Sequence, residues 1–343
     1  MEKVGVVIGR LQGFTKAHQH LIYRAALDSD RVIVLVGSAN RRKSAKNPWT
    51  FEERVDAIKF CLHDWEGLSK LTFVPIDDIP NNDDWKWNVV EKVWDVIDEV
   101  PNTIDNVDIT IFGCDKDEST FYLEMFPEWK LELLDAFEGM DATNIRKKWL
   151  DGKQTLSFLL DDRVMHPRLG GWLYAQPYNP NLQDEFEFYR KEKEKFANYP
   201  YPETLNFLCA DAVVVYKESV LMIKRKFAPG KDCWATPGGF KNANESLQQA
   251  AIRELIEETG INFTPEQLEN CIINHKIFDD PKRSLGIPRI TMGVLFDFSW
   301  LDERPIIKPA DDAVDYRWFA FNELKKIERE IYDDHQRIIE ELI

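Results

Sequence analysis

Glu254, Glu257 and Glu258 stand at i, i+3 and i+4 in GGFKNANESLQQAAIRELIEETGI, residues 238–261. On a helix this spacing puts three carboxylates on one face, where they repel one another. A hard divalent cation relieves the repulsion and takes oxygen ligands. Mg²⁺ held there could bridge a diphosphate and activate a water, and Mn²⁺ shares the ligand preference. For three glutamates alone, a solvated acidic face is the competing reading.

A second cluster lies in GRLQGFTKAHQHL, residues 9–21, directly after the apolar run VGVVI. A helix N-terminus offers unpaired N–H groups and a positive dipole end, so this stretch could cradle phosphate. Gly9 and Gly13 let the backbone come close, and Arg10 and Lys16 add charge. Thr15 and His18 can donate hydrogen bonds to phosphate oxygens. None of these groups is a nucleophile with a partnered base. The cluster fits charge stabilisation of a pentacovalent phosphorus in a direct displacement. His20 points about 200° around the helix from His18, away from that work.

Thr143 and Arg146 in DATNIR precede a basic helix start. Lys116 and Asp117 in GCDKDESTFY follow a buried strand, at the end where ligands of parallel sheets sit. Arg225 and Lys226 end a strand, and Arg283 and Arg289 flank the loop KRSLGIPR. Each of these four cations could meet phosphates or be a surface charge.

The elements that must position these residues read as two grammars. Residues 4–8 and 31–37 form buried strands, with a helix between them whose apolar positions are 17, 21, 22, 25 and 26. Strand, helix and strand make a βαβ unit with a right-handed crossover. Further strands fall at 71–76 and 108–113, and helices at 51–63 and 87–98. This alternation implies an open parallel sheet. The segment from about 176 to 203, rich in Pro, Asn, Tyr and charge, reads as a connector with one charged helix over 183–196. Fresh strands follow at 211–216, 220–225, 272–278 and 290–298. The glutamate helix starts near Ser246 and stops at Gly260, a natural C-cap, and a terminal helix covers 322–341.

The bulk properties narrow the class. The chain has 343 residues, enough for two ordinary domains. Lys plus Arg is 44 and Asp plus Glu is 60, giving a formal charge of −16. That balance argues against general nucleic-acid or anionic-membrane binding. No run of 18 apolar residues occurs, and VGVVIG is too short for a signal-peptide core. The five cysteines (61, 114, 209, 233 and 271) are scattered, with no Cys-x-x-Cys. A reduced, cytoplasmic protein follows, with neither disulfide framework nor cysteine zinc site.

Gly239, five residues, Glu245, seven residues, then Arg253-Glu254-Leu255-x-Glu257-Glu258-x-Gly260-Ile261 matches the Nudix box at every defined position. The resemblance implies a Nudix α/β/α sandwich over 204–343, hydrolysing a nucleoside diphosphate linked to another moiety. It implies that Glu254, Glu257 and Glu258 bind metal, that the Gly238 carbonyl adds a ligand, and that Glu245 supports the site. Arg253 would orient a box glutamate by a charge-assisted hydrogen bond.

Gly9-Arg10-x-Gln12-x-Phe14-Thr15-x-Ala17-His18 resembles the (Thr/His)-x-Gly-His signature of nucleotidyltransferases, and Thr143 with Arg146 resembles the later Ser/Thr-x-x-Arg motif. GSANRRKSAKNPWTFEER and GCDKDESTFYLEMFP are similar to segments of archaeal-type nicotinamide mononucleotide adenylyltransferases. The chain as a whole resembles the bifunctional family that fuses such a transferase to a Nudix hydrolase. The implied architecture is α/β throughout, with a Rossmann-like nucleotidyltransferase domain over 1–175 and a connector over 176–203.

By that resemblance the first domain joins ATP and nicotinamide mononucleotide, giving NAD and pyrophosphate. Arg10, Thr15, His18 and Arg146 would hold the ATP phosphates. Asn47 and Arg54 would hold the mononucleotide, and Trp87 (or Trp85) would stack on its cationic ring. Core packing is the other reading for either tryptophan. The Nudix half would split ADP-ribose into AMP and ribose 5-phosphate, with NADH and dinucleoside polyphosphates left open as substrates and Glu254, Glu257 or an acid outside the box, such as Glu303 or Asp312, as base.

Leu11 and Gly13 replace the family's Phe and Pro, and Ala17 replaces the signature's glycine. A positive φ at position 17 would put strain on alanine, whereas ordinary helix would not. Three alternatives stay open: pantetheine phosphate as acceptor, a live hydrolase with an inactive transferase half, and a sensor of NAD metabolites. Homo-oligomerisation is likewise left open.

Overall fold

The structure is a computed structural model and describes residues 1–98, 107–114, 118–135, 142–151, 165–281 and 283–343. The chain divides into two compact units, Met1–Tyr178 and Asn179–Ile343.

In the first unit the apolar runs in EKVGVVIG and RVIVLV become β1 (Glu2–Gly9), buried over residues 4–8, and β2 (Arg31–Val36), buried from Val32 onward. Strands buried on both faces read as continuous apolar runs. They are joined by α1 (Lys16–Asp28), and α2 (Phe51–Cys61), β3 (Leu71–Pro75) and α3 (Asn82–Asp98) follow. Then come β4 (Val107–Cys114), β5 (Lys130–Leu134), α4 (Ala142–Leu150) and α5 (Leu169–Ala175). The sheet is fully parallel in the order β3-β2-β1-β4-β5. The α3 residues Val89, Val93 and Ile97 pack on one face, together with Phe126 and Trp129.

The second unit begins with α6 (Pro180–Lys195), capped by Asn179 with proline at the first position. Its sheet is built from β6 (Phe207–Tyr216), β7 (Ser219–Arg225), β8 (Trp234–Ala235) and β9 (Gly238–Phe240). The glutamate helix α7 (Leu247–Thr259) and α8 (Pro265–Glu269) lead to β10 (Ile272–Phe278), β11 (Arg289–Asp297) and β12 (Ala313–Ala320). The sheet is mixed: β11 runs parallel to β6, and the other pairings are antiparallel. Ala250, Ala251 and Leu255 of α7 pack on one face, and Ile338, Ile339 and Leu342 close the other.

The expected helix over 322–341 is not continuous. It consists of α9 (Phe321–Leu324), a 3₁₀ segment Lys325–Glu330, and α10 (His335–Leu342). The break has a cause. The Tyr332 N–H donates to the Trp234 carbonyl at 2.8 Å, which draws this stretch onto β8, and Asp333 turns left-handed at φ 42°. The connector also departs from expectation, because its helix α6 belongs to the second unit. Among the described residues, no helix is long and apolar enough to cross a membrane.

Candidate active sites

In the first unit the strand order reverses at β1, so a crevice opens beyond the carboxyl ends of β1 and β4. Gly9, Arg10, His18, Gly113, Thr143 and Arg146 line it. Thr15 caps α1 and is 1% exposed. Its hydroxyl accepts from the His18 N–H at 3.2 Å, and His18 Nδ1 accepts from the Thr15 N–H at 3.1 Å. A neutral imidazole that accepts at Nδ1 carries its proton on Nε2. Thr15 therefore stands off the crevice and fixes the tautomer and orientation of His18. Lys16 is half-buried and also does not line the crevice.

Ala17 is a buried residue of the first helical turn and has no positive φ. The left-handed turns fall earlier, at Leu11 (φ 51°) and Gly13 (φ 97°). Proline is locked near −65° and could not occupy position 13 in this conformation.

Arg146 is buried; it donates to the Gln12 carbonyl at 3.0 Å and to Thr143 Oγ1 at 2.9 Å. Arg54 differs from expectation. Its guanidinium is buried and donates to the carbonyls of Arg10 (2.5 Å), Gly37 (2.6 Å) and Thr50 (3.1 Å). It staples the loops that follow β1 and β2, where a residue open to a ligand was expected. Asn47 is buried, and its Oδ1 has no hydrogen-bond partner among the described residues.

Of the two tryptophans, Trp85 packs against Tyr122 and Phe126 in the core. Trp87 is 66% exposed and lies away from the crevice lining. Lys116 and Asp117 fall outside the described residues. Gln12 and Tyr122, not singled out as site residues in the sequence, both line the crevice. Their signal was present for Gln12, which sits inside the signature, and weak for Tyr122, one aromatic among many.

In the second unit Ser246 caps α7 in a reciprocal capping box with Gln249, and Gly260 ends it at φ 55°. Glu258 is buried, and its Oε2 accepts from the Gly238 N–H at 2.9 Å. Burial pushes its carboxyl up to about 8, with the Glu254 charge adding to the shift. Burial also raises Glu254, against the pull of Arg253. A Cβ at Gly239 would stand 2.4 Å from Glu254 Oε1, so only glycine lets that carboxylate lie on the β9 backbone.

Two repelling carboxylates, partly desolvated and converging on Gly238–Gly239, suit a hard divalent cation. Arg253 donates at 2.8 Å to each of Glu245, Glu254 and Glu257, and at 2.9 Å to the Phe240 carbonyl. It therefore holds three box glutamates where the sequence implied one. Its guanidinium keeps Glu245 down at about 2. With the carboxylates held this way, no group of three His, Cys, Asp or Glu side chains among the described residues is gathered to hold a metal.

Arg225, Arg283 and Arg289 line one cavity with Glu258 and Gly238. They are not surface charges. The Arg283 side chain is 7% exposed and pairs with Asp334 at 2.9 Å. Arg289 pairs with Glu192 at 2.6 Å, and Arg225 lies 4.5 Å over the Tyr332 ring. Asp211, which the sequence reading missed, lines the same cavity, and burial raises its carboxyl to about 7. It sits inside an apolar strand run, DAVVVY, where no spacing marks it.

Residues 207–342 match the NUDIX domain family, and residues 6–116 match the Cytidylyltransferase-like family. The nicotinamide/nicotinic acid mononucleotide adenylyltransferase of Acinetobacter baylyi is 36% identical over 149 residues, covering 43% of this chain and 76% of the relative. The ADP-ribose pyrophosphatase of Methanocaldococcus jannaschii is 28% identical over 152 residues, covering 44% of this chain and 79% of the relative. A crystal structure of a bifunctional NMN adenylyltransferase/ADP ribose pyrophosphatase from Francisella tularensis, complexed with AMP and a manganese ion, matches with TM-score 0.85 at 32% identity. That match covers 99% of this chain and 98% of that one. With one family matching each unit and a full-length relative covered almost end to end, the chain belongs to the family of bifunctional NMN adenylyltransferase/ADP-ribose pyrophosphatases.

Proposed function

We infer that this chain is a bifunctional enzyme of NAD metabolism. Its first unit transfers the adenylyl group of ATP to nicotinamide mononucleotide, giving NAD and pyrophosphate. Its second unit hydrolyses ADP-ribose to AMP and ribose 5-phosphate with Mg²⁺.

The convergence of His18 and Arg146 on the crevice at the strand-order reversal carries the first half. A phosphate oxygen of the mononucleotide attacks the α-phosphorus of ATP, the bond to the β-phosphate oxygen breaks, and pyrophosphate leaves. Charge develops on the non-bridging oxygens. The His18 Nε2–H, the Arg146 guanidinium and the N–H groups at the start of α1 stabilise it. Arg10 and Thr143, which line the crevice, add to the phosphate field, and Thr15 keeps His18 in its donating tautomer. The Asn47 Oδ1, buried without a partner among the described residues, supports a role in holding the mononucleotide, because a buried acceptor is normally satisfied. Trp87 keeps the stacking role only as what the resemblance implies, since it is exposed and stands outside the crevice lining.

The carboxylates of Glu254 and Glu258 on the Gly238–Gly239 backbone carry the second half. Glu254, Glu257, Glu258 and the Gly238 carbonyl would hold the cation. When bound, Mg²⁺ supplies Lewis acidity and a water of lowered pKa. Glu245 and Arg253 hold the carboxylates in place, and Glu254 or Glu257 takes the proton of the attacking water. Arg225, Arg283 and Arg289 face the diphosphate.

The test is NAD formation from ATP, nicotinamide mononucleotide and Mg²⁺ by Glu257→Gln protein, so that the second unit does not consume product. A His18→Ala partner is run beside it, and ADP-ribose hydrolysis is measured in the parent. NAD formation lost only with His18→Ala, together with hydrolysis lost only in Glu257→Gln, supports both halves. Folded Glu257→Gln protein that forms no NAD would overturn the first half. Unchanged hydrolysis in it would overturn the second.

A further inference from the structure

The break in the terminal helix brings consecutive residues to the hydrolase cavity: Tyr332, Asp333, Asp334 and His335 all line it. The strap they form begins as a strand. Ile331 bridges Trp234 of β8 in parallel, and the Tyr332 N–H meets the Trp234 carbonyl. At Asp333 the chain turns left-handed and leaves that edge. Two residues beyond Trp234, the backbone of Thr236 is buried, and a buried N–H needs an acceptor. The His335 side chain supplies it. Its Nδ1 accepts from the Thr236 N–H at 3.2 Å, and the Thr236 hydroxyl lies 2.7 Å from the same nitrogen.

This link bears on the residues that follow. The Pro237 carbonyl accepts from the Ala212 N–H of β6 at 2.7 Å, and the Gly238 N–H donates to Glu258. Residues 236–238 are thus pinned in turn to α10, β6 and α7. Gly238 has no room to shift: a Cβ there would stand 2.1 Å from Asp211 Oδ1 and 2.7 Å from the Ala210 carbonyl oxygen. The direction of the Gly238 backbone follows from these fixed points, and His335 is one of them.

Asp334 reaches another wall of the cavity. Its carboxylate accepts from Arg283 Nε and Nη2, one oxygen to each, at 2.9 Å. Pairing at two points fixes the plane of a guanidinium as well as its place. The base for both contacts is rigid, because Ile338, Ile339 and Leu342 bury α10 in the core.

We propose that Asp334 and His335 are positioning residues of the hydrolase with separate tasks. His335 sets the Gly238 backbone beside the box glutamates and so acts on metal affinity. Asp334 sets Arg283 and so acts on the diphosphate. The proposal rests on the reading that this unit is a metal-dependent hydrolase of ADP-ribose, and it adds to that site two residues that lie far beyond the box in sequence.

The experiment measures Mn²⁺ binding to the full-length protein by electron paramagnetic resonance, beside KM and kcat for ADP-ribose at saturating Mg²⁺. Asparagine carries its oxygen near the place of Nδ1, and glutamine carries it further out. His335→Gln therefore weakens Mn²⁺ about 10-fold, the low end of the usual cost of losing a group that orients a metal site, and His335→Asn stays within about twofold of the parent. Asp334→Asn keeps one acceptor and loses the charge. It raises KM for ADP-ribose about 10-fold with little change in kcat, and Mn²⁺ binding is kept. A general loss of structure would lower kcat and melting temperature without this split. Equal Mn²⁺ binding in His335→Gln and His335→Asn overturns the task of His335, and an unchanged KM in Asp334→Asn overturns that of Asp334. A parent protein that hydrolyses no ADP-ribose retires the proposed reaction, and a contrast between glutamine and asparagine in Mn²⁺ binding then still supports His335 in its place.

Discussion

Gln12 and Trp49 are joined by a two-way hydrogen bond. Gln12 Nε2 donates to the Trp49 carbonyl at 2.9 Å, and the Trp49 N–H donates to Gln12 Oε1 at 3.2 Å. Both residues are buried, and the Gln12 carbonyl accepts from Arg146. The loop after β1, the loop before α2 and the arginine of α4 therefore share one residue. Gln12→Ala leaves a buried N–H and carbonyl unpaired, at about 1–3 kcal/mol. It should lower the melting temperature and cut adenylyl transfer by at least about 10-fold, while ADP-ribose hydrolysis is kept. Full transfer activity in the variant would show that the link does not position the crevice.

Ala17 tests the signature directly. Its position is ordinary helix, so glycine brings no conformational relief there. Ala17→Gly should leave adenylyl transfer within about twofold and destabilise the protein by roughly 0.5–1 kcal/mol, the usual cost of glycine in a helix. A large gain in transfer activity would mean that the methyl group obstructs the ATP phosphates, against the geometry seen here.

Motif and periodicity carried these sites only so far. The βαβ start was legible because VGVVI and RVIVLV are unbroken apolar runs, and α7 because Ser246 and Gly260 punctuate it. The short strands β8 and β9 were not legible, since two or three residues leave no period to read. The roles of Thr15 and Arg54 were hidden for another reason. A side chain that can donate to phosphate can equally serve backbone groups, and only the fold decides which lies nearer. Asp211 and Glu192 were silent because their partners are distant in sequence; Arg289, for example, lies 97 residues beyond Glu192.

Arg253 joins three of the four box glutamates through one guanidinium. Lysine keeps the charge but cannot reach several carboxylates with a planar fork. Arg253→Lys should weaken metal-dependent ADP-ribose hydrolysis about 10- to 100-fold, the usual cost of losing a group that orients metal ligands. Raising Mg²⁺ should recover part of the loss. Adenylyl transfer serves as the internal control. Hydrolysis unchanged at limiting Mg²⁺ would remove Arg253 from the site's organisation.

Glu258 ties the hydrolase site to pH. Burial raises its carboxyl from 4.5 to about 8, so the metal-free fold favours the protonated form. Its contribution is fully present below pH 4.5 and is lost as pH rises through about 8. Glu258→Gln removes the titration and keeps an acceptor for the Gly238 N–H. Melting curves in chelator should therefore lie together near pH 5 and separate toward pH 8–9, the variant melting higher by roughly 2–4 °C per kcal/mol relieved. Asp211 titrates in both proteins and drops out of the difference. A divalent cation favours the ionised carboxylate, so Mg²⁺ should raise the parent's melting temperature more at pH 8 than at pH 5 and stabilise the variant less. The variant should also lose most ADP-ribose hydrolysis. Parallel curves across the whole range would mean that Glu258 is ionised in the metal-free fold and that burial does not govern it.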